Sequence, residues 1–280
     1  MSTPTPALVP AFHSIHWSPS FGGSADLAGV IVAARRAGFG HIGLDLASVD
    51  RYVADGGSLA GLRDLLDAEH LTVTDVVALS LRADEEPRSL AARLAPVIDA
   101  VGAPLCVAAV AEPIGHDAVV AGLLAALDVL PTDVRLAIEF GGYMGLRSLV
   151  ETVAVCADVG WDRAGVLVDS YQCARTGTAL AAIADLGPGQ IALVQFADAV
   201  GPTPDGEDLV TEARHHRLIP GRGDLPLDGL VDAVRRSGYD GPLAAEVLSD
   251  DIRASAPADV AAVLYAAMAP FAVATTGAPP

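Results

Sequence analysis

Four polar side chains stand inside otherwise continuous apolar stretches: Glu139 in RLAIEF, Asp169 in VLVDS, Gln195 in LVQFADA and Glu246 in AAEVL. A carboxylate in such a setting carries a heavy desolvation penalty unless it takes up a proton or meets a cation. Two partners meet that need. One is a buried arginine paired with each acid; the other is a single divalent ion held by oxygens from all four side chains, with positions left open for substrate. Four donors on four successive segments favour the ion. An oxygen-only set suits Mn2+ or Mg2+ before Co2+, and suits Zn2+ less, since zinc prefers histidine and cysteine. An ion chelated by a substrate carbonyl and a neighbouring hydroxyl acts as a Lewis acid for removal of the α-proton. Glu139 and Glu246, facing each other across the ion, are then the groups expected to move protons.

The elements that must position these residues follow from the hydrophobic pattern. Short Val/Ile/Leu-rich runs read as buried parallel strands, and longer runs with apolar residues three or four apart read as helices. Strands are expected at 12–18, 41–46, 72–79, 104–110, 134–140, 164–170, 191–199 and 241–248. They alternate with helices at 24–38, 58–70, 87–102, 116–130, 148–160, 178–187, 226–238 and 257–271. Ser24, Ser58, Asp117 and Ser148 are expected N-caps, and Gly38, Gly102, Gly160 and Gly238 stand where helices end. No Gly-x-Gly-x-x-Gly follows the first strand, which counts against a dinucleotide-binding open sheet. Eight units without a linker predict a single (β/α)8 TIM barrel over residues 1–272, with 273–280 as a disordered tail. In such a barrel the chemistry sits at the C-terminal ends of the strands, where the four donors fall.

Other residues near those ends could bind substrate. His16, near the end of the first strand, could hydrogen-bond or donate a proton; a lone histidine in a strand is more often structural, and His13 ranks below it. The long loop 200–225 carries Arg214, His215, His216 and Arg217, a basic cluster in an acidic chain. It reads either as a solvated loop or as a clamp for a carboxylate or phosphate, with Arg214 or Arg217 bidentate. Arg175, six residues beyond Asp169, could serve the same end. Trp17, Phe21, Phe140 and Tyr143 could wall a pocket or simply pack loops, and Asp198 could orient a ligand or reach the ion through water.

Composition narrows the partners. Thirty-five acidic residues against 17 basic ones give a net charge of −18 in 280 residues. That balance opposes binding to nucleic acid or to an anionic membrane surface. Every basic residue is arginine, and neither lysine nor asparagine occurs, which excludes Schiff-base aldolases, covalently held pyridoxal phosphate and P-loop nucleotide binding. Cys106, Cys156 and Cys173 form neither a metal-ligand pair nor a disulfide framework. The opening MSTPTPALVPAF lacks the features of a signal peptide, and no apolar run reaches membrane-span length, so a cytoplasmic protein is expected. The oligomeric state is left open, a homo-oligomer included.

RLAIEF, GVLVDSYQCARTG, LVQFADA, EARHHRLIPGRGDLPLDGL and SGYDGPLAAEVLSDD together resemble the xylose-isomerase-like TIM-barrel superfamily of sugar phosphate isomerases and epimerases. The resemblance runs through all eight units. It implies metal ligands at Glu139, Asp169, Gln195 and Glu246, the set reached above; Gln in the third place looks like the subgroup that includes 3-dehydroshikimate dehydratases. Two positions depart from the family pattern. Its usual histidine three residues after the strand-six aspartate, used to bind or protonate substrate, is here Gln172, and its Pro-Gly-Glu-Gly is here Pro220-Gly221-Arg222-Gly223. The resemblance implies, first, a divalent-metal-dependent isomerase or epimerase acting on a sugar- or cyclitol-like polyhydroxylated carbonyl compound. A lyase of the dehydroshikimate dehydratase kind is the second reading, and a non-catalytic sugar-binding barrel or subunit the third.

Overall fold

In the computed structural model, which describes residues 8–24, 26–202 and 209–272, the apolar runs form eight parallel strands closed into a barrel. They are β1 Val9–His13, β2 His41–Asp45, β3 Thr72–Leu81, β4 Leu105–Val110, β5 Arg135–Ile138, β6 Ala164–Asp169, β7 Ile191–Phe196 and β8 Pro242–Ala245. Each pairs with its sequence neighbour, and β1 closes on β8 through Val9–Pro242, Pro10–Leu243 and Ala11–Ala244. The (β/α)8 architecture is as expected.

Strand alternation divides the core into two layers. Outward residues such as Phe12, Ile42, Leu44 and Val76 pack under Ile31, Leu62, Leu94 and Leu264 of the surrounding helices. Inward residues, among them Ala11, Val77, Val107, Ala137, Leu167, Leu193 and Ala244, fill the lumen. Small side chains on several strands let the larger ones interdigitate, so the lumen is a packed plug that ends below the site.

Ser58 and Ser148 cap their helices through the side-chain oxygen as predicted. Two expected caps are displaced: Asp26, not Ser24, caps the helix Leu27–Ala37, and Gly115 precedes the helix His116–Leu127 with Asp117 in its first turn. Gly38 and Gly102 end their helices with positive φ, at 112° and 67°, a conformation that costs glycine least.

The first strand also lies earlier than 12–18. It stops at His13, because His13 Nδ1 accepts the Ile15 N–H at 3.1 Å and turns Ser14–Trp17 into a 3-10 helix. Four short helices at the barrel mouth had no counterpart in the pattern: Leu46–Ala54, Ser170–Arg175, Leu209–His215 and Asp250–Ala254. The first two begin directly at a strand end, because the last strand residue is also the cap. Asp45 accepts the Ser48 N–H at 2.9 Å, and Asp169 accepts the Tyr171 N–H at 2.7 Å. The tail 273–280 lies outside the described residues.

Candidate active site

Glu139, Asp169, Gln195 and Glu246 occupy the C-terminal rim of four adjacent strands. Asp169 and Gln195 are register partners on β6 and β7. Glu139 and Glu246 lie one residue past β5 and β8, yet their backbones stay in the barrel ladder: Glu139 N–H donates to Ala108 O at 2.9 Å and Glu246 N–H to Phe196 O at 3.1 Å. Rigid strands thus hold all four side chains. Asp169, Gln195 and Glu246 are buried, and Glu139 is half-buried.

The cation among them is Arg217. It leaves the loop after the helix Leu209–His215 and is 2% exposed. Its Nη1 donates to Asp169 Oδ2 at 2.8 Å, to Glu246 Oε2 at 3.2 Å and to the Glu246 carbonyl at 3.4 Å. Its Nε donates to Ala213 O at 2.8 Å, and the guanidinium lies 4.7 Å from the centre of the Tyr171 ring. Burial lowers the Arg217 pKa, but Asp169 and Glu246 more than reverse this, so the side chain stays charged.

One guanidinium does not balance three carboxylates. Burial pushes Glu139 up to about 7, with repulsion from Asp169 adding to it. Glu246 rises to about 8, again through burial first, with Asp169 and Glu139 opposing the relief that Arg217 gives. Without a bound ion, both carboxyls therefore hold their protons more tightly than ordinary carboxylates do.

A divalent ion fits this donor set in chemistry and charge. Gln195 donates Nε2 to Glu246 Oε1 at 3.0 Å, which fixes the amide orientation. Its Oε1 is then a buried acceptor without a hydrogen-bond partner. Even so, no three His, Cys, Asp or Glu side chains among the described residues form a ready metal cluster. Both carboxylates that flank Gln195 have their oxygens engaged, with Arg217 on one oxygen of each. The two readings drawn from the sequence, buried arginine and oxygen-bound ion, therefore meet at one place.

Glu139, Gln195 and Glu246, with Arg217, open into a cavity of about 560 Å3, lined also by Ile15, Asp45, Val77, Arg82, Val107, Tyr143, Met144 and Arg214; Asp169 lies behind them, off the cavity wall. Arg82 and Arg214 are exposed, and neither side chain makes an ion pair among the described residues. Arg93, on the same wall, is engaged by Asp50 at 3.3 Å.

Gln172 is buried beside the cluster. Its Nε2 donates to Tyr143 Oη at 2.9 Å and lies 3.5 Å from Glu139 Oε1. A Cβ at position 141 would collide with the Gln172 amide, so Gly141 is what makes room for it. Tyr143, expected to wall the pocket or pack a loop, lines the cavity and brings a phenol to it. Burial, reinforced by Glu139, pushes its pKa up to about 12, so it remains a neutral donor.

Three predicted substrate contacts are committed elsewhere. His16 is fully buried, packs against Phe12 and Trp17, and accepts the Val247 N–H at 3.0 Å. It braces the residue next to Glu246, and burial lowers its pKa to about 3. Arg175 forms a buried pair with Glu212 at 2.5–2.8 Å, and Tyr171 Oη joins it by donating to Glu212 at 2.7 Å. That trio anchors the helix Leu209–His215. His215 meets Asp250 at 2.8 Å on the surface. Asp198 accepts N–H groups of Ala199, Gly221, Gly223 and Leu225 at 2.9–3.1 Å, so it shapes the Pro-Gly-Arg-Gly loop rather than facing a ligand.

His13 Nε2 lies 3.0 Å from Asp75 across β2, where Gly43 leaves room for the ring. Because Nδ1 accepts Ile15 N–H, the neutral ring donates from Nε2 to Asp75. Like the rim donors, both residues are lone polar positions in apolar strands, so the same interruption of the pattern marks them.

A family model described as a xylose isomerase-like TIM barrel matches residues 31–267. The curated 3-dehydroshikimate dehydratase of Pseudomonas aeruginosa is 34% identical over 140 residues, which cover 45% of this chain and 22% of that protein. The chain thus spans less than a quarter of the length of the curated relative it matches. Among solved structures, the IolI protein with a bound zinc atom superposes with a TM-score of 0.83 at 15% identity, covering 94% of this chain and 98% of that one. A D-allulose 3-epimerase from Methylomonas sp. in complex with D-allulose gives 0.72 at 16% identity, covering 97% of this chain and 100% of that one. At such identities the structural likeness establishes the fold.

Proposed function

The chain belongs to the xylose isomerase-like TIM-barrel family, and from that premise we propose that it is a lyase that removes an α-proton and then a β-hydroxyl from an anionic, polyhydroxylated carbonyl compound. The carrying observation is geometric: two carboxyls, Glu139 and Glu246, and a separate neutral donor, Tyr143, line one cavity. Dehydration needs both a base for the α-proton and a donor for the departing hydroxyl. The dehydratase relative supports the same direction.

Glu139, Asp169, Gln195 and Glu246 are the residues that would hold a divalent ion, Mn2+ or Mg2+ by donor type. When bound, such an ion supplies Lewis acidity that makes the α-proton easier to remove. The protein's own groups do the rest. Glu139 or Glu246, ionised, takes the α-proton, and the bond's electron pair moves onto the carbonyl oxygen. As that pair returns, a carbon–carbon double bond forms and the β-hydroxyl departs with the Tyr143 proton as water. The proton held by the carboxyl then restores the phenol. Gln172 keeps the phenol aimed, since its Nε2 occupies an acceptor site on Oη and leaves the O–H free to donate. Arg82 and Arg214 supply cations for a substrate carboxylate at the rim.

Isomerisation or epimerisation, the first expectation from sequence, remains the second reading, favoured by two carboxyls on one cavity, one to remove a proton and the other to return it on the opposite face. The test is incubation with 3-dehydroshikimate in deuterated water, alongside a panel of ketoses and inosose-like ketones. Loss of water from the dehydroshikimate ring gives an aromatic catechol carboxylate with strong ultraviolet absorption. Its appearance supports the lyase. Deuterium in a recovered ketose isomer, with no aromatic product, would replace it with the epimerase.

A further inference from the structure

One nitrogen of Arg217, Nη1, serves two acids that a metal ion would share. Every oxygen of Asp169 and Glu246 already accepts at least one hydrogen bond. Asp169 Oδ1 accepts from Tyr171 N–H at 2.7 Å and Gln172 N–H at 3.4 Å, and Oδ2 accepts from Arg217 at 2.8 Å. Glu246 Oε1 accepts from Gln195 at 3.0 Å, and Oε2 accepts from Arg217 at 3.2 Å. The backbone and amide donors are fixed by the helix that starts at Asp169 and by β7. Arg217 is the donor with the longest side chain, and it borders the 560 Å3 cavity into which its head can move.

We propose that Arg217 is the resident counter-cation of this cluster and that a divalent ion binds by displacing it from Asp169 and Glu246. This rests on the reading of Glu139, Asp169, Gln195 and Glu246 as ion ligands. An ion bonded to Asp169 Oδ2 and Glu246 Oε2 would stand within a few ångströms of Nη1, and two positive centres so close on the same oxygens repel strongly. The backbone on either side of Arg217 is held while its guanidinium moves. Leu218 pairs with Asp198 through both backbone hydrogen bonds, at 2.7 and 2.8 Å, and because the guanidinium is a rigid plane its Nε–H leaves Ala213 O as Nη1 leaves the acids. The displaced guanidinium therefore stays at the cavity, where it can meet an anionic oxygen of substrate. The loop cluster predicted to clamp an anion thus has a second duty: it keeps the acids paired until the ion arrives.

Two measurements test this without turnover. The first is Mn2+ affinity, read from the paramagnetic resonance of the free ion, for the wild-type protein, Arg217→Met and Arg217→Lys, each checked for folding by circular dichroism. Competition predicts that Arg217→Met binds Mn2+ at least about tenfold more tightly, with Arg217→Lys between it and wild type. Equal or weaker binding by Arg217→Met overturns the displacement and makes Arg217 an orienting group for the ligands. Failure of every protein to bind Mn2+ overturns both the displacement and the ligand assignment. The second uses the wild-type protein, so it does not depend on a variant folding. The buried Arg217 Nε–H should give a slowly exchanging arginine signal in a 1H–15N spectrum. Saturating Mg2+ should remove its protection; a signal unchanged by bound Mg2+ overturns the proposal.

Discussion

Gln172 Nε2 lies 2.9 Å from Tyr143 Oη, and this bond makes a non-titrating amide useful at a position where the resembling family carries a histidine. The amide cannot give up a proton, but it can hold a group that does. Removing the phenol oxygen while keeping the ring should therefore lower kcat about 10²–10⁴-fold, the usual worth of a positioned acid. Metal content should not change in Tyr143→Phe. Gln172→Leu should lose activity through the same group, so the double variant should be little worse than Tyr143→Phe alone. Fully additive losses in that cycle would show that the two act independently.

Glu139→Gln should abolish turnover and remove most of the bound divalent ion while the barrel persists, because β5 and the helix after it hold the backbone without that carboxylate. A variant with full metal content and full activity would remove Glu139 from the site. The sign of the stability change follows from its raised pKa, about 7 in the folded protein against an ordinary carboxyl value. Between those values the folded state holds the extra proton, so this group's stabilisation is complete at low pH and is lost as pH rises through 7. The neutral amide lacks that loss. In chelator-treated protein, Glu139→Gln should gain stability relative to wild type from pH 5 to pH 9 in urea unfolding.

The barrel was legible because buried parallel strands are nearly continuous apolar runs, and the rim donors because each interrupts such a run. Arg217 was legible only as part of a basic cluster. Nothing in RHHR separates a residue 2% exposed from its neighbour Arg214, which is exposed. What buries it is the pairing of Leu218 with Asp198, a contact between distant segments without periodicity. The first strand was misplaced for a related reason: His16 and Trp17 continue an apolar-looking run, but the His13 side chain captures the Ile15 N–H and ends the strand.

Asp198 gives a prediction about that loop. Its carboxylate satisfies N–H groups at Gly221, Gly223 and Leu225 as well as its own neighbour. A Cβ at Gly223 would collide with Ala199 O and Asp198 Oδ1, so the loop closes tightly on the acid. Asp198→Ala should cost roughly 2–4 kcal/mol, since several donors lose a charged acceptor. Because the same segment carries Arg217, substrate KM should rise as well. Urea unfolding together with steady-state kinetics would read both effects, and an unchanged stability would show that water replaces the carboxylate.

Arg82 and Arg214 are separable from the proton-moving groups. Neither touches Glu139 or Glu246 among the hydrogen bonds described, so Arg82→Ala should leave stability within about 0.5 kcal/mol, as for most exposed positions. If it pairs with a substrate carboxylate, KM should rise about tenfold or more for a carboxylate substrate and stay level for a neutral ketose. Equal KM changes on both substrates would assign Arg82 to loop packing instead.

His16 carries a pH dependence opposite in sign to that of Glu139. Its Nε2 accepts the Val247 N–H, and burial lowers its pKa to about 3 against an ordinary value of 6.5. Between those values the unfolded chain binds the extra proton, so stability contributed by neutral His16 is present above pH 6.5 and is lost as pH falls toward 3. A single group of this kind changes stability by roughly 1.4 kcal/mol per pH unit well inside that window. Glutamine at this position can still offer an oxygen to Val247 but does not titrate. His16→Gln should therefore be less stable than wild type at pH 7 and lose most of that deficit by pH 5. An equal pH dependence of the two proteins across that range would show that His16 takes up its proton in the fold as readily as in the unfolded chain, and the brace beside Glu246 would have to be drawn differently.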